Sequence, residues 1–223
     1  MFKEFIKRLF DIIFSSIFII ILFPFLIPII IILRLTGEGE VFYLQKRIGY
    51  KNKVFYIYKF ATMVKNSPNI GSRSLTLRND PRVLPFGKFL RKTKINELPQ
   101  LFNVFIGDMS IVGPRPQMEV DFLVYPENVK NSIYNTKPGL TGLGSIFFRD
   151  EEFFLSKQTN PRDFYASKIA PYKGELELWY LNNRTFIVDL ILILLTILAI
   201  IFPNKNLLHS IFKSLPKSKF EFS

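Results

Sequence analysis

Leu9-Phe-Asp-Ile-Ile-Phe-Ser-Ser-Ile-Phe-Ile-Ile-Ile-Leu-Phe-Pro-Phe-Leu-Ile-Pro-Ile-Ile-Ile-Ile-Leu33 decides the class of this chain. The run is long enough to reach across the hydrocarbon layer of a bilayer. It is too long for a cleavable signal peptide, and no small-residue cleavage site follows it. Pro24 and Pro28 interrupt the apolar residues. Each lacks an N–H and crowds the preceding turn, so a kink or break is expected there. Lys3, Lys7 and Arg8 precede the run and Arg34 follows it. Positive charge on both flanks disfavours a straight crossing. A helix–break–helix that enters and leaves by the cytoplasmic face satisfies both observations; an ordinary kinked transmembrane helix is the alternative. Arg8 and Asp11 are spaced to pair on one helix face.

Working outward, a second apolar run spans Phe186 to Phe202, with Asp189 near its start and Pro203 after it. Its length is at the lower limit for a span. Crossing, lying in the interface and packing on the domain all stay open. Trp179 and Tyr180 stand just before it, where interfacial aromatics are common. The tail from 204 to 223 is basic with scattered Phe, and reads as a flexible segment lying against anionic lipid.

Between the apolar runs the sequence reads as a small α+β body. Residues 41–58 suggest two strands around a turn at Gly49 to Lys53. Residues 64–82, with Pro68, Gly71 and Asn79-Asp80-Pro81, read as loop. A short basic helix is expected over 87–93. Leu98, Leu101, Phe102 and Phe105 recur at helical spacing, so a helix starting near Asn96 buries that face. Asn96 suits an N-cap, and Pro99 is tolerated in a first turn. Gly107-Asp108 ends that helix, with Asp108 holding the turn to Ser110. Residues 117–135 are helical or mixed, and 162–184 are helical with a break near Pro171. The expected organisation is a membrane helix at 1–36, a catalytic domain at 37–185, a membrane-associated apolar helix at 186–203 and a basic tail at 204–223.

Composition narrows the chemistry. A formal charge of +12 favours an anionic partner. The 48% apolar content and 25 Phe favour a membrane surface over nucleic acid. The aromatics sit in hydrophobic runs, not in a base-stacking platform, so no nucleic-acid partner is expected. The absence of Cys excludes disulfides, thiolate zinc sites and thiol nucleophiles. The lone His209 lies in the tail, which argues against Ser-His catalysis. Lys46, Arg47, Lys59, Arg91, Lys92, Arg115 and Arg149 are basic candidates for phosphate recognition. Gly113-Pro114-Arg115-Pro116 precedes an expected helix at Gln117, an arrangement able to aim backbone N–H groups and Arg115 at a phosphate. Taken alone, that tetrapeptide reads as a rigid turn.

Longer blocks carry more information. They are Lys7-Arg8-x-x-Asp11, the proline-interrupted run, Tyr58-Lys-Phe-x-Thr-Met63, and Glu97-Leu-Pro-Gln-Leu-Phe-Asn103. Gly107-Asp-Met-Ser-x-Val-Gly-Pro-Arg-Pro116, Pro138-Gly-Leu-Thr-Gly142 and Trp179-Tyr180 follow. From Ile6 to Phe202 the chain resembles the bacterial sugar transferases, the monotopic polyprenyl-phosphate phosphoglycosyl transferases. The resemblance implies a re-entrant helix in one leaflet and an active site on the cytoplasmic face of the bacterial inner membrane. It implies Mg²⁺, a UDP-sugar donor and undecaprenyl phosphate as acceptor. The product would enter surface-glycan assembly, with downstream glycosyltransferases as possible partners. Lys59, Arg91, Arg115 and Arg149 match basic residues around the phosphates, together with Gly113, Pro114 and Pro116. Glu97 matches the second acid of the family's Asp-Glu pair.

Asn96 stands where the family carries its nucleophilic aspartate. A carboxamide is neutral and a poor nucleophile, though its oxygen ligates metal. Four accounts stay open. Glu97 takes over as nucleophile; polyprenyl phosphate attacks directly, with Glu97 as metal ligand or base; Asn96 is converted to Asp; or the chain is a silent homologue that binds nucleotide-sugar or partner glycosyltransferases. In the active accounts Asn96 and Glu97 are the catalytic and metal-ligand candidates.

Overall fold

The computed structural model describes residues 2–71, 75–202, 207–218 and 220. Pro203 and part of the basic tail lie outside the described residues. The chain divides into two compact units, Met1–Arg47 with Val54–Ile111 and Ile48–Lys53 with Val112–Ser223. Helix and sheet are mixed, as the sequence suggests.

The first unit begins with a single helix, α1 (Phe2–Leu35), long and apolar enough to cross a membrane. The break expected at Pro24 and Pro28 is not confirmed: both prolines lie inside the uninterrupted helix. Each proline removes one backbone hydrogen bond, and the apolar residues around it retain helical geometry. The two ends of α1 pack on this unit. Near the start, Asp11 is buried and its Oδ1 accepts from Lys7 Nζ (3.1 Å), Ser110 Oγ (3.1 Å) and Ile111 N (3.0 Å). Arg8 donates to the carbonyls of Val104 (2.6 Å) and Phe105 (2.7 Å) and so is not paired with Asp11. Near the end, Leu33 joins Phe60 and Leu90 in a core that also takes in Leu26, Ile29 and Ile30. Between these anchors Ile17, Ile20, Ile21, Phe23 and Phe25 are exposed.

Strands β1 (Phe42–Ile48) and β2 (Val54–Phe60) pair as expected. Helix α2 (Pro85–Lys92) follows a segment with no strand or α-helix among its described residues. That segment is organised by buried Arg82, which donates to Asp80, to Ser67 O (2.9 Å), to Ile70 O (3.0 Å) and to Leu75 O (2.8 Å). A planar guanidinium with five N–H donors can bind several carbonyls at once, so one side chain replaces a small core.

Helix α3 (Gln100–Ile106) starts later than expected and buries a different face. Gln100, Leu101, Asn103 and Val104 are inside, while Phe102, Phe105 and Ile106 are exposed. Asn103 decides this orientation. Its Oδ1 accepts from Tyr58 N (2.9 Å) and its Nδ2 donates to Tyr56 O (2.8 Å), sewing α3 to β2. The Asn103 carbonyl accepts from the N–H groups of Gly107, Asp108 and Met109, so backbone holds the turn assigned to Asp108, whose side chain is exposed. Strand β3 (Ser110–Val112) holds the last residues of the first unit and the first of Val112–Ser223.

In the second unit, Glu119–Phe122 and Glu127–Lys130 are short helices. Strand β4 (Gly139–Thr141) leads into α4 (Leu143–Phe147). Helix α5 (Ala170–Asn183) is entered through a π-helical turn at Tyr165–Ile169. That turn widens the backbone just before Pro171, where a break was expected. Helix α6 (Phe186–Ile201) is capped by Thr185 Oγ1, which accepts from Val188 N (3.2 Å). One face of α6 packs on the unit through Asp189, Leu192 and Leu195, with Tyr180 donating to Asp189 Oδ1 (2.7 Å). Its other face, including Ile187, Leu194, Ile197 and Ile201, is apolar and exposed. The described part of the tail is not loose: Leu208, Phe212 and Leu215 are buried, and Tyr172 donates to Pro216 O (3.0 Å).

Candidate active site

The first unit supplies a carboxylate, a carboxamide and two bases. Gly87 lets α2 lie against the backbone, since a Cβ there would meet Thr62 O at 2.3 Å. Helix α2 therefore packs closely and carries Arg91 in its last turn. Lys94, with φ of 61°, reverses the chain into the 3-10 turn Ile95–Glu97. Ile95 is drawn into the Leu33–Phe60–Leu90 core, and Asn96 follows it inside, 6% exposed. Asn96 is not the helix cap expected of it: it lies within the turn, and its Oδ1 is buried without a hydrogen-bond partner. Gln100 Nε2 is likewise buried and unpartnered. Such atoms, when left unpaired, destabilise a fold by roughly 1–3 kcal/mol each, so this turn offers two buried polar atoms within five residues for a ligand to satisfy. Glu97 points to Lys59 of β2, with Oε1 to Nζ at 3.4 Å. Both side chains are largely covered yet reach solvent, at 16% and 13% exposure.

The second unit holds the Gly113–Pro116 turn and Arg149. The backbone cradle expected from this turn is not formed. Gly113 N donates to Thr141 O (2.9 Å), Arg115 N to Glu177 Oε1 (3.4 Å) and Gln117 N to Tyr134 Oη (2.9 Å). Pro114 and Pro116 have no N–H, so every backbone donor from 113 to 117 is used internally. No helix begins at Gln117 either, because that residue bridges to Ile48. The turn is instead packed backbone on backbone. A Cβ on Gly139 would lie 2.1 Å from Gly113 N, and one on Gly142 2.3 Å from Gly113 O. Gly113, Pro114 and Pro116 thus shape and stiffen the turn, and Arg115 contributes through its side chain, which is half-buried. Arg149 keeps Nε and Nη1 buried with no partner, a cation held in place without an internal counterpart.

Behind the turn lies Glu177 of α5, 1% exposed. Burial pushes its carboxyl up to about 7 against the pull of the Arg115 and Gly144 N–H groups and the Lys173 charge. Lys173, itself buried, is paired with Glu151.

The implied Mg²⁺ can be tested against the donors present. Among the described residues no group of three or more His, Cys, Asp or Glu is placed to hold a metal. Mg²⁺ needs no such cage; it is commonly held by one or two carboxylates plus phosphate and water oxygens. The Glu97 carboxylate and the orphaned Asn96 Oδ1 fit that smaller donor set.

The model of the family described as bacterial sugar transferase matches residues 2–203. The chain belongs to this family. It is 33% identical over 208 residues to an undecaprenyl-phosphate galactose phosphotransferase of Salmonella typhimurium, covering 87% of this chain and 40% of that protein. It is 35% identical over 196 residues to a UDP-glucose:undecaprenyl-phosphate glucose-1-phosphate transferase of Klebsiella pneumoniae, covering 86% and 39%. With the exopolysaccharide production protein PSS of Rhizobium leguminosarum bv. phaseoli it shares 32% over 199 residues, covering 87% and 94%. The chain therefore spans about two fifths of the larger relatives and nearly all of the smaller one.

Within the sugar transferase sequence, Asn103, Arg82 and Glu177 were not legible as key residues. A signal for Glu177 exists: it shares a helix face with Ala170, Lys173, Gly174 and Tyr180, all buried. A carboxylate on a face that also carries Ala170 and Gly174, with Lys173 one turn away, marks a buried, partnered group.

Proposed function

We propose that this sugar transferase moves a sugar-1-phosphate from a UDP-sugar to undecaprenyl phosphate and releases UMP, at the cytoplasmic face of the bacterial inner membrane. The observation that carries the reading is the Asn96–Glu97 turn with its orphaned amide oxygen and its Lys59-paired carboxylate, in a chain of this family. Glu97 is the one carboxylate of the pair, so it is assigned as the nucleophile. Its oxygen bonds to the β-phosphorus, and the bond from that phosphorus to the bridging oxygen breaks, freeing UMP. An oxygen of polyprenyl phosphate then attacks the same phosphorus and returns Glu97 as carboxylate. Lys59 lies beside Glu97 and counters the negative charge that would repel a diphosphate. Arg91, Arg115 and Arg149 are assigned to phosphate oxygens, where guanidinium donates in pairs. Asn96 Oδ1 and Glu97 would hold Mg²⁺, which when bound neutralises diphosphate charge.

The packing of both α1 ends on one unit, with an exposed apolar middle, supports a helix that enters and leaves by one face, with Pro24 and Pro28 bending it without breaking it. The product would pass to glycosyltransferases that extend a surface glycan.

The test is UMP release by purified full chain with Mg²⁺, undecaprenyl phosphate and a panel of UDP-sugars. Wild type should release UMP with at least one donor, and Glu97→Gln should lose at least a thousandfold. Radiolabelled sugar-phosphate should be trapped on the protein when acceptor is withheld; turnover without trapping would replace the covalent step by direct attack. The neutral Asn96 supports one second reading, a silent nucleotide-sugar-binding homologue. Silence across the panel, with activity appearing in Asn96→Asp, would establish it.

A further inference from the structure

Glu177 lies outside the residues that the resemblance assigns to chemistry, yet at 1% exposure it is the most buried carboxylate among the described residues of the second unit. Its Oε1 accepts from Arg115 N (3.4 Å) and from the Gly144 N–H. Its Oε2 has no partner. The fit is close: a Cβ on Gly144 would lie 2.5 Å from Oε1 and 3.1 Å from Lys173 Cγ. The same oxygen thus ties the Gly113–Pro116 turn to the start of α4. On its other side the turn is gripped by Tyr134, whose hydroxyl donates to Arg115 O (2.8 Å) and accepts from Gln117 N (2.9 Å). The Arg115 backbone is therefore held at both its N–H and its carbonyl.

We propose that Glu177 is a positioning residue for Arg115: its carboxyl fixes the backbone from which that guanidinium reaches the donor's diphosphate. The inference rests on the diphosphate reading of Arg115 given above. A guanidinium recognises phosphate by direction as well as charge, so a displaced backbone weakens donor capture before it weakens chemistry. The charged and titratable groups around Glu177 are Arg115, Lys173 and Tyr180, with Tyr125 nearby and Glu151 acting through Lys173. As pH rises through about 7 the carboxyl ionises. Its oxygen then becomes the stronger acceptor for Arg115 N, and donor capture should improve.

The experiment uses detergent-purified full chain and compares Glu177→Ala, Glu177→Asp and Glu177→Gln with wild type. Two readings are taken: kcat and KM for the UDP-sugar between pH 6 and 9, and UDP binding by titration calorimetry at pH 8. Ala removes the acceptor and Asp withdraws it, so both should lower kcat/KM about tenfold or more, chiefly through KM, and weaken UDP comparably. Gln keeps Oε1 and should stay within about threefold of wild type while losing the pH limb near 7. Should Ala not fold, the Asp and Gln variants carry the comparison. A folded Ala or Asp variant that binds UDP as wild type does overturns the inference. So does equal impairment of Ala, Asp and Gln alongside equal loss of thermal stability, the mark of a purely structural residue. Wild type that binds UDP, is weakened by Ala, and turns over no donor would leave the inference standing and sink the transferase reading. Wild type that binds no UDP overturns both.

Discussion

Glu177 should also make the stability of this protein depend on pH in a direction opposite to that of most carboxylates. Its carboxyl is raised from 4.5 to about 7 in the fold, chiefly by burial. Below pH 4.5 both folded and unfolded chains carry the proton and Glu177 adds no pH dependence. Between 4.5 and 7 the unfolded chain has released its proton while the folded chain retains it, so stability falls as pH rises. Above about 7 both are ionised and the loss is complete. Each pH unit in this window is worth about 1.4 kcal/mol, giving a total of about 3 kcal/mol. For a chain of this length that corresponds to roughly 6–12 °C in unfolding temperature. Glu177→Gln cannot ionise, so its unfolding temperature relative to wild type should climb by that amount between pH 4.5 and 8. The difference between the two proteins cancels all other titrating groups and any constant effect of the amide. Trp179, the sole tryptophan, gives the fluorescence signal in a thermal scan. A gap between variant and wild type that stays constant, or narrows, from pH 4.5 to 8 would refute the reasoning.

Asp11→Ala should destabilise the first unit by about 2–4 kcal/mol, because it strips Ser110 and the buried Ile111 N–H of their acceptor; Asp11→Asn, which keeps an oxygen, should lose less than half of that in denaturant titration. Asn103→Leu should weaken α3 against β2 by a similar amount and speed amide exchange at Tyr58, whose N–H loses its partner. Arg82→Lys should leave the carbonyls of Ser67, Ile70 and Leu75 under-satisfied and open the 64–82 segment to limited proteolysis, which wild type should resist. Gly139→Ala should abolish folding or lower the unfolding temperature by more than 10 °C, since its Cβ would lie 2.1 Å from Gly113 N. A Gly139→Ala protein with wild-type unfolding would mean that the glycine packing is looser than described.

Much of this molecule is written locally. A long apolar run specifies α1 whatever surrounds it, because burying its side chains in lipid or protein needs only their composition. The hairpin and the turns at 107 and 113 follow from Gly and Pro, whose backbone limits act within a few residues. The ordered Glu97–Asn103 and Gly107–Pro116 blocks point to the sugar transferase family before any coordinate is known. Local patterning did not say which face of α3 turns inward, because Phe102 and Phe105 are as apolar as Leu101 and Val104. The choice was made by Asn103 bonding to β2, 45 residues earlier in the chain. Nor did the charges reveal their partners: Arg8 looked matched to Asp11, yet the fold sends it to the Val104 carbonyl and gives Asp11 to Ile111, 100 residues away. The fold likewise fills the N–H groups of the Gly-Pro-Arg-Pro turn, one of them from Glu177 at a separation of 62. A dihedral preference acts on its own residue, whereas burial and hydrogen-bond pairing depend on whatever else the chain brings to the same place.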